Sequence, residues 1–203
     1  ADKCRLEVTH NGAVTQYNAT HIILATGARA RNLPNIEIDG DFIWGAREAM
    51  TPTALPNNLL VIGAGAIGVE FASMYNDLGT NVTLVEAETR ITPAEDIEIS
   101  QIAEKSFQKR GIKVLTNSLV ESVERAGTGS VARINGPDGK QELAFDQVIL
   151  AVGIRGNIES LGLEKHGVHM DKGFLIADQF GKTNLAGLYA VGDVAGPPWL
   201  AHK

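Results

Sequence analysis

The sequence predicts an α/β fold in which a parallel sheet flanked by helices carries a β-meander. Three observations predict it. A four-residue apolar run, Leu59–Ile62, and a second stretch, Val82–Val85, read as buried strands. A glycine-rich turn joins the first run to sequence of helical period. A series of short β-leaning runs then fills residues 119–152, around the turn Gly136-Pro137-Asp138-Gly139.

Taken in order, Arg5–Thr9 and Val14–Asn18 flank Asn11-Gly12, a pair that favours the positive φ angles of a tight hairpin. His21–Leu24 is a short strand ending in Ala25-Thr26-Gly27. Residues 29–58 read as an irregular connection between domains, with Pro34, Pro52 and Pro56 and a short helix around Gly45–Met50. After Leu59–Ile62, residues Ile67, Phe71, Met74, Tyr75 and Leu78 recur at helical spacing, and Gly79 stops the helix. Val82–Val85 ends in Glu86. A helix is expected over about Asp96–Arg110, with Ile99, Ile102, Ala103, Ser106 and Phe107 on one face and Gly111 as its stop. Ile112–Leu115 is a third strand, followed by strand-like Leu119–Arg125, Val131–Asn135, Glu142–Phe145 and Val148–Val152. Leu188–Val191 is a last apolar strand, ending in Gly192-Asp193.

An internal repeat lies within this order. A strand, an Asn-Gly turn, a strand and His-Ile-Ile-Leu-Ala-Thr-Gly occupy 5–27; the same pattern, ending in Gln-Val-Ile-Leu-Ala-Val-Gly, occupies 131–153. The second copy closes a unit opened by the glycines of 63–68, 88 residues before Ala151. The first copy is expected to close an equivalent unit whose glycine motif would lie about 60 residues before Ala1. The chain is therefore expected to be part of a longer protein, and the missing initiator Met and abrupt Lys203 fit that expectation.

Composition narrows the function. Lys+Arg 18 against Asp+Glu 24 gives a net charge of −6 with scattered cations, so no nucleic-acid footprint is expected. No run is long and apolar enough for a membrane span, and a cytoplasmic location is expected. A single cysteine, Cys4, forbids an internal disulfide. His166 and His169 lack a further ligand cluster, so no metal site is expected.

Gly63-x-Gly65-x-x-Gly68 has the context of a dinucleotide fingerprint: it follows a buried strand, opens a helix, and has an acid, Glu86, 18 residues after its last glycine. Gly63 serves the tight turn, Gly65 admits a pyrophosphate and Gly68 lets helix and strand pack closely. The helix N-terminus offers free N–H groups to phosphate. The Glu86 carboxylate can accept both ribose hydroxyl protons and repels a 2′-phosphate, which favours NAD over NADP. Asp193, at a strand's carboxyl edge, is either a ligand-site residue or a helix cap. Glu70, in the first helical turn after Gly68, reads as an acid favoured by the helix dipole.

Together these stretches resemble the class I pyridine nucleotide-disulfide oxidoreductases, flavoproteins with two dinucleotide-binding, Rossmann-like domains, and among them the dihydrolipoamide dehydrogenase family. The matching stretches are Ile23–Gly27, Val61–Phe71, Arg90–Asp96, Gly187–Gly196 and Leu200–Lys203. Gly156-Asn157-Ile158-Glu159 departs from the Arg-Pro-Asn run of many relatives. The resemblance implies an NAD site of Gly63, Gly65, Ala66, Ile67, Gly68, Glu70, Glu86, Val120 and Gly153, with Glu70 near the nicotinamide. It implies FAD contacts from Thr26, Gly27, Asp193, Trp199, Leu200, Ala201 and His202. It also implies a division into 1–28, the end of a first FAD-domain segment; 29–155, the NAD domain; and 156–203, a returning FAD segment. The family moves electrons from dihydrolipoyl groups through a disulfide and FAD to NAD⁺, as a homodimer bound to a 2-oxoacid dehydrogenase complex. This chain has no Cys-x4-Cys pair and no His-Glu pair of a dimerisation domain, so no catalytic residue is expected in it. The alternatives are a non-catalytic NAD-binding module and part of a related NAD(P)H-dependent flavoprotein reductase.

Overall fold

The computed structural model describes residues 4–200. The chain divides into two compact units, Ala1–Arg29 with Ile154–Lys203, and Ala30–Gly153. In the first unit, β1 (Cys4–His10) and β2 (Ala13–Ala19) pair antiparallel, from Cys4↔Ala19 to His10↔Ala13. Asn11 and Gly12 turn between them at φ 49° and 78°, the left-handed geometry of a two-residue hairpin loop. β3 (Ile22–Leu24) follows, and β4 (Ala28–Ala30) leads out of the unit.

The second unit is built on five parallel strands. Its elements are β5 (Ile43–Trp44), α1 (Ala46–Ala49), β6 (Asn58–Ile62), α2 (Ala66–Asp77), β7 (Asn81–Val85), α3 (Ile97–Lys109) and β8 (Lys113–Leu115). The meander strands β9 (Leu119–Ala126), β10 (Gly129–Gly136) and β11 (Gly139–Phe145) come next, then β12 (Gln147–Leu150). Sheet order is β5-β12-β6-β7-β8. Alternation along β6 builds two cores. Leu59 and Val61 face Phe71, Ala72 and Tyr75 of α2, while Leu60 and Ile62 face Val120, Ala132, Ile134 and Phe145 of the meander. Both faces of β6 are therefore buried, which is why its sequence is a continuous apolar run.

The first unit resumes with β13 (Ile154–Gly156), a 3₁₀ turn at Glu164–His166, the hairpin β14 (Met170–Asp171) and β15 (Phe174–Leu175), and β16 (Leu188–Ala190). β16 runs parallel to β3, from Leu188↔Ile22 to Ala190↔Leu24. Its core is Leu24, Ile158, Leu163, Val168, Leu175, Leu188, Ala190 and Val194.

The repeat is visible in three dimensions. The register Cys4↔Ala19 of the first hairpin corresponds, 126 positions on, to Ser130↔Phe145 of the second. The environments differ. Leu6 and Val8 are 44% and 40% exposed, whereas their counterparts Ala132 and Ile134 are 0% and 1% exposed.

Two expectations need correction. Residues 29–58, read as an irregular connection, contain an edge strand, Ile43–Trp44, paired through Val148↔Ile43. The Asp39 carboxylate orders the preceding loop by accepting from the N–H groups of Asp41, Phe42 and Ile43, and a two-residue strand is too short to show a period. On α3, Ile99 and Ile102 are 55% and 65% exposed. Ala103 and Phe107 of the expected face do pack on the core, with buried Ser100 beside them where Ile99 and Ile102 were expected. Among the described residues no helix is long and apolar enough to cross a membrane.

Tyr75 is fully buried, and its hydroxyl donates to the Ala49 carbonyl at 2.7 Å, tying α2 to α1. Tyr75→Phe strands that buried carbonyl and is expected to lower stability by about 1–2 kcal/mol. Urea unfolding checks it as a reduced midpoint at unchanged slope.

Candidate functional site

In the second unit the chain leaves β6 toward β7 on one side, and β12 returns on the other. Open α/β sheets bind ligands at such a switch point, outside the carboxyl ends of the strands. Here those ends meet tightly. Gly63 sits at φ +96°, and a Cβ on it would come 2.5 Å from the Ala151 carbonyl oxygen. A Cβ on Gly68 would overlap the Gly63 carbonyl oxygen. These two glycines are therefore required by the close approach of strand, loop and helix. Gly65 is different: a Cβ there meets nothing within 4 Å. Its absence leaves open space at the N-terminus of α2, where Gly65 is the cap residue and no side chain caps the helix. The first N–H groups of α2 lack intrahelical partners and point their partial positive charge into that space.

Glu86 closes the site from the end of β7. It is 9% exposed. One carboxylate oxygen accepts from the Ala64 N–H at 2.6 Å, and the other accepts from the Glu88 N–H at 2.9 Å. Each oxygen keeps a further lone pair. The sequence predicts Glu86 as the acceptor of both ribose hydroxyl protons; in the structure the carboxylate holds the glycine loop. The Ala64 carbonyl accepts from the Thr92 N–H at 2.7 Å. Thr92 falls in the Arg90–Asp96 stretch that carries the resemblance, but the sequence assigned it no role.

The remaining predicted residues of this unit are distributed as follows. Ala66 and Ile67 open α2. Glu70 is its fifth residue, exposed, and the first turn holds no acid. The dipole reading of Glu70 is thus corrected, because the helix begins at Ala66. Val120 is 5% exposed with its side chain in the meander core, so only its backbone can reach a ligand. Gly153 has φ +103°, and its carbonyl accepts from the Arg31 N–H at 3.0 Å.

In the first unit, Thr26 and Gly27 are bound to the segment after β13. The Thr26 hydroxyl donates to the Asn157 carbonyl at 2.7 Å, Asn157 Nδ2 donates to the Thr26 carbonyl at 2.9 Å, and Asn157 N donates to the Gly27 carbonyl at 2.9 Å. Arg29 donates to Asn157 Oδ1 at 2.9 Å and bidentately to Glu159 at 2.7 and 2.9 Å. The departure Gly156-Asn157-Ile158-Glu159 therefore supplies the partners of Thr26 and Arg29. Asp193 lies in a 3₁₀ turn, Gly192–Ala195, whose cap position is Val191 without a side-chain cap bond. This corrects the cap reading of Asp193. The Trp199 ring lies 5.5 Å from that of Phe174, and Leu200 is exposed. Ala201 and His202 lie outside the described residues.

A family model described as pyridine nucleotide-disulphide oxidoreductase matches residues 1–203. The chain is 54% identical over 188 residues to a dihydrolipoyl dehydrogenase of Rhizobium etli, covering 92% of this chain and 39% of that protein. It is 47% identical over 196 residues to a dihydrolipoyl dehydrogenase of Zymomonas mobilis, covering 96% and 42%. The crystal structure of LpdA from Mycobacterium tuberculosis superposes with a TM-score of 0.88 at 33% identity, over 98% of this chain and 43% of that one. The chain thus spans about two fifths of the length of the curated relatives it matches.

The Arg29–Glu159 pair gives the first unit a pH signature. Hydrogen bonding from Arg29 pulls the Glu159 carboxyl from its ordinary 4.5 to about 2. A depressed carboxyl stabilises the fold above its unfolded pKa, and the contribution is lost as pH falls through the folded value. A carboxyl-detected NMR titration is expected to place Glu159 near 2. In Arg29→Ala the midpoint is expected to rise toward the ordinary carboxylate range.

Proposed function

Because the chain belongs to the pyridine nucleotide-disulphide oxidoreductase family, we propose that it is the central part of a dihydrolipoyl dehydrogenase. In this reading residues 29–155 are the NAD-binding domain, and residues 1–28 and 156–203 are portions of an FAD-binding domain. The observation that carries it is the Glu86 carboxylate, fixed beside the open space over Gly65 at the switch point of the sheet. The residues present fit a dinucleotide. Gly65, Ala66, Ile67 and Gly68 would receive the pyrophosphate on backbone N–H groups, with Gly63 making the turn. Glu86 would accept from the adenosine ribose with the lone pairs left over from the loop. Val120 and Gly153 would contribute backbone, and exposed Glu70 would lie toward the nicotinamide. Thr26, Gly27, Asp193 and the Trp199, Leu200, Ala201 and His202 stretch would contact FAD. Bound NAD and FAD supply hydride and electron transfer, while the protein sets geometry and electrostatics.

The longer parent is supported by the hairpin comparison. Leu6, Val8 and Tyr17 share one face of β1–β2 and are 44%, 40% and 55% exposed. The equivalent face of β10–β11 is covered by the β6 side of the sheet. A further part of the polypeptide covering the first hairpin removes that difference. The parent would act in the cytoplasm, as a homodimer bound to a 2-oxoacid dehydrogenase complex.

The 203 residues contain one cysteine, so no redox disulfide can form within them. The chain by itself is therefore expected to bind NADH in calorimetry and to show no dihydrolipoamide turnover; turnover by the isolated chain would sink this reading. Glu86→Ala is expected to weaken NADH binding by about 1.5–3 kcal/mol through lost charge-assisted hydrogen bonds. Because Glu86 also holds Ala64, the ribose contact is read separately, as the ratio of NADH to NADPH affinity. Glu86→Gln should lower that ratio, and an unchanged ratio would remove Glu86 from the ribose.

A further inference from the structure

The geometry points to Ser100 and Thr92 as positioning residues for the dinucleotide loop, acting through the backbone of Ala64. This inference rests on the function proposed above. Ala64 is fully buried. Its N–H is taken by Glu86 and its carbonyl by the Thr92 N–H, at 2.6 and 2.7 Å. The Gly63–Ala64 peptide is thereby held through its N–H and the Ala64–Gly65 peptide through its carbonyl, so both peptides leading into Gly65 are tied down.

The Thr92 grip is built at a cost. Thr92 is a β-branched residue at φ +43°, a backbone region such side chains rarely occupy. Conformations of this kind persist where the surroundings over-determine them. Ser100 supplies that determination. It is fully buried on the packed face of α3, and its hydroxyl donates to the Thr92 carbonyl at 3.2 Å and lies 3.1 Å from Thr92 Oγ1. The Thr92 carbonyl also accepts from Glu95 N–H at 2.9 Å, and Asp96 caps α3 one residue later through Glu98 N–H. The helix thus fixes the loop after Glu86, and that loop fixes Ala64. A small hydroxyl at 100 suits both needs: it allows close packing, and it donates to the Thr92 carbonyl while lying within hydrogen-bond distance of Thr92 Oγ1.

The test compares Ser100→Ala and Thr92→Ser with the unsubstituted chain, using NADH and ADP as ligands and amide exchange of the free protein as an independent readout. Ser100→Ala is expected to speed exchange at 63–66 and at Thr92. It should weaken NADH and ADP by one common factor of about three to ten, the worth of one or two buried hydrogen bonds. Thr92→Ser keeps the hydroxyl and is expected to retain wild-type affinity. A lower melting temperature with unchanged loop exchange and unchanged affinities would make Ser100 merely structural and overturn the inference. Failure of the unsubstituted chain to bind NADH would overturn the proposed function instead, and the exchange result would then decide the positioning role on its own.

Discussion

Gly63 cannot carry a side chain, because the Ala151 carbonyl stands 2.5 Å from where its Cβ would be. The rest of the second unit depends on that approach. It brings the carboxyl ends of β6 and β12 together, so that the chain can turn off β6 directly into α2. Gly68 then lets α2 settle against the same turn. A helix so placed buries Phe71, Ala72 and Tyr75 on the sheet and leaves its N-terminus at the strand ends. The candidate site is the outer surface of this packed joint. The open space at Gly65 and the tight contacts at Gly63 and Gly68 are two sides of one arrangement.

Support for the joint comes from beneath and is polar. Glu86, Ala64, Thr92 and Ser100 form a continuous set of hydrogen bonds from β7 through the loop to α3. Buried polar groups are costly unless satisfied. Here the Ala64 N–H and carbonyl of the glycine turn are both matched, by Glu86 and by the Thr92 N–H, and Ser100 holds Thr92 in turn.

Much of this was legible in the sequence, for reasons that can be named. Leu59–Ile62 shows itself because both faces of β6 are covered, and Asn11-Gly12 because a two-residue hairpin admits few other pairs. The glycines of 63–68 show themselves because steric exclusion selects one residue type. What stayed hidden depends on tertiary contact. Ile43–Trp44 becomes a strand through pairing with β12 and through the Asp39 turn. Ser100 looks like a surface residue of an amphipathic helix, while Ile99 and Ile102 look like its core. The buried stripe is set by what α3 packs against, and hydrophobicity alone put Ile99 and Ile102 in it in place of Ser100. The hold of Glu86 on the glycine loop was hidden because its acceptor capacity suggested a ligand and gave no hint of Ala64.

The first hairpin has a consequence for the chain as a material. β1 and β2 form a sheet of two strands, with Leu6, Val8 and Tyr17 on one face. Such a ribbon is marginal in isolation and presents edges able to template strands from other molecules. Self-association of these 203 residues would therefore begin at positions 4–19, whatever the stability of the parallel sheet. Charged substitutions at Leu6 and Val8 would act on that association without touching the glycine loop after β6.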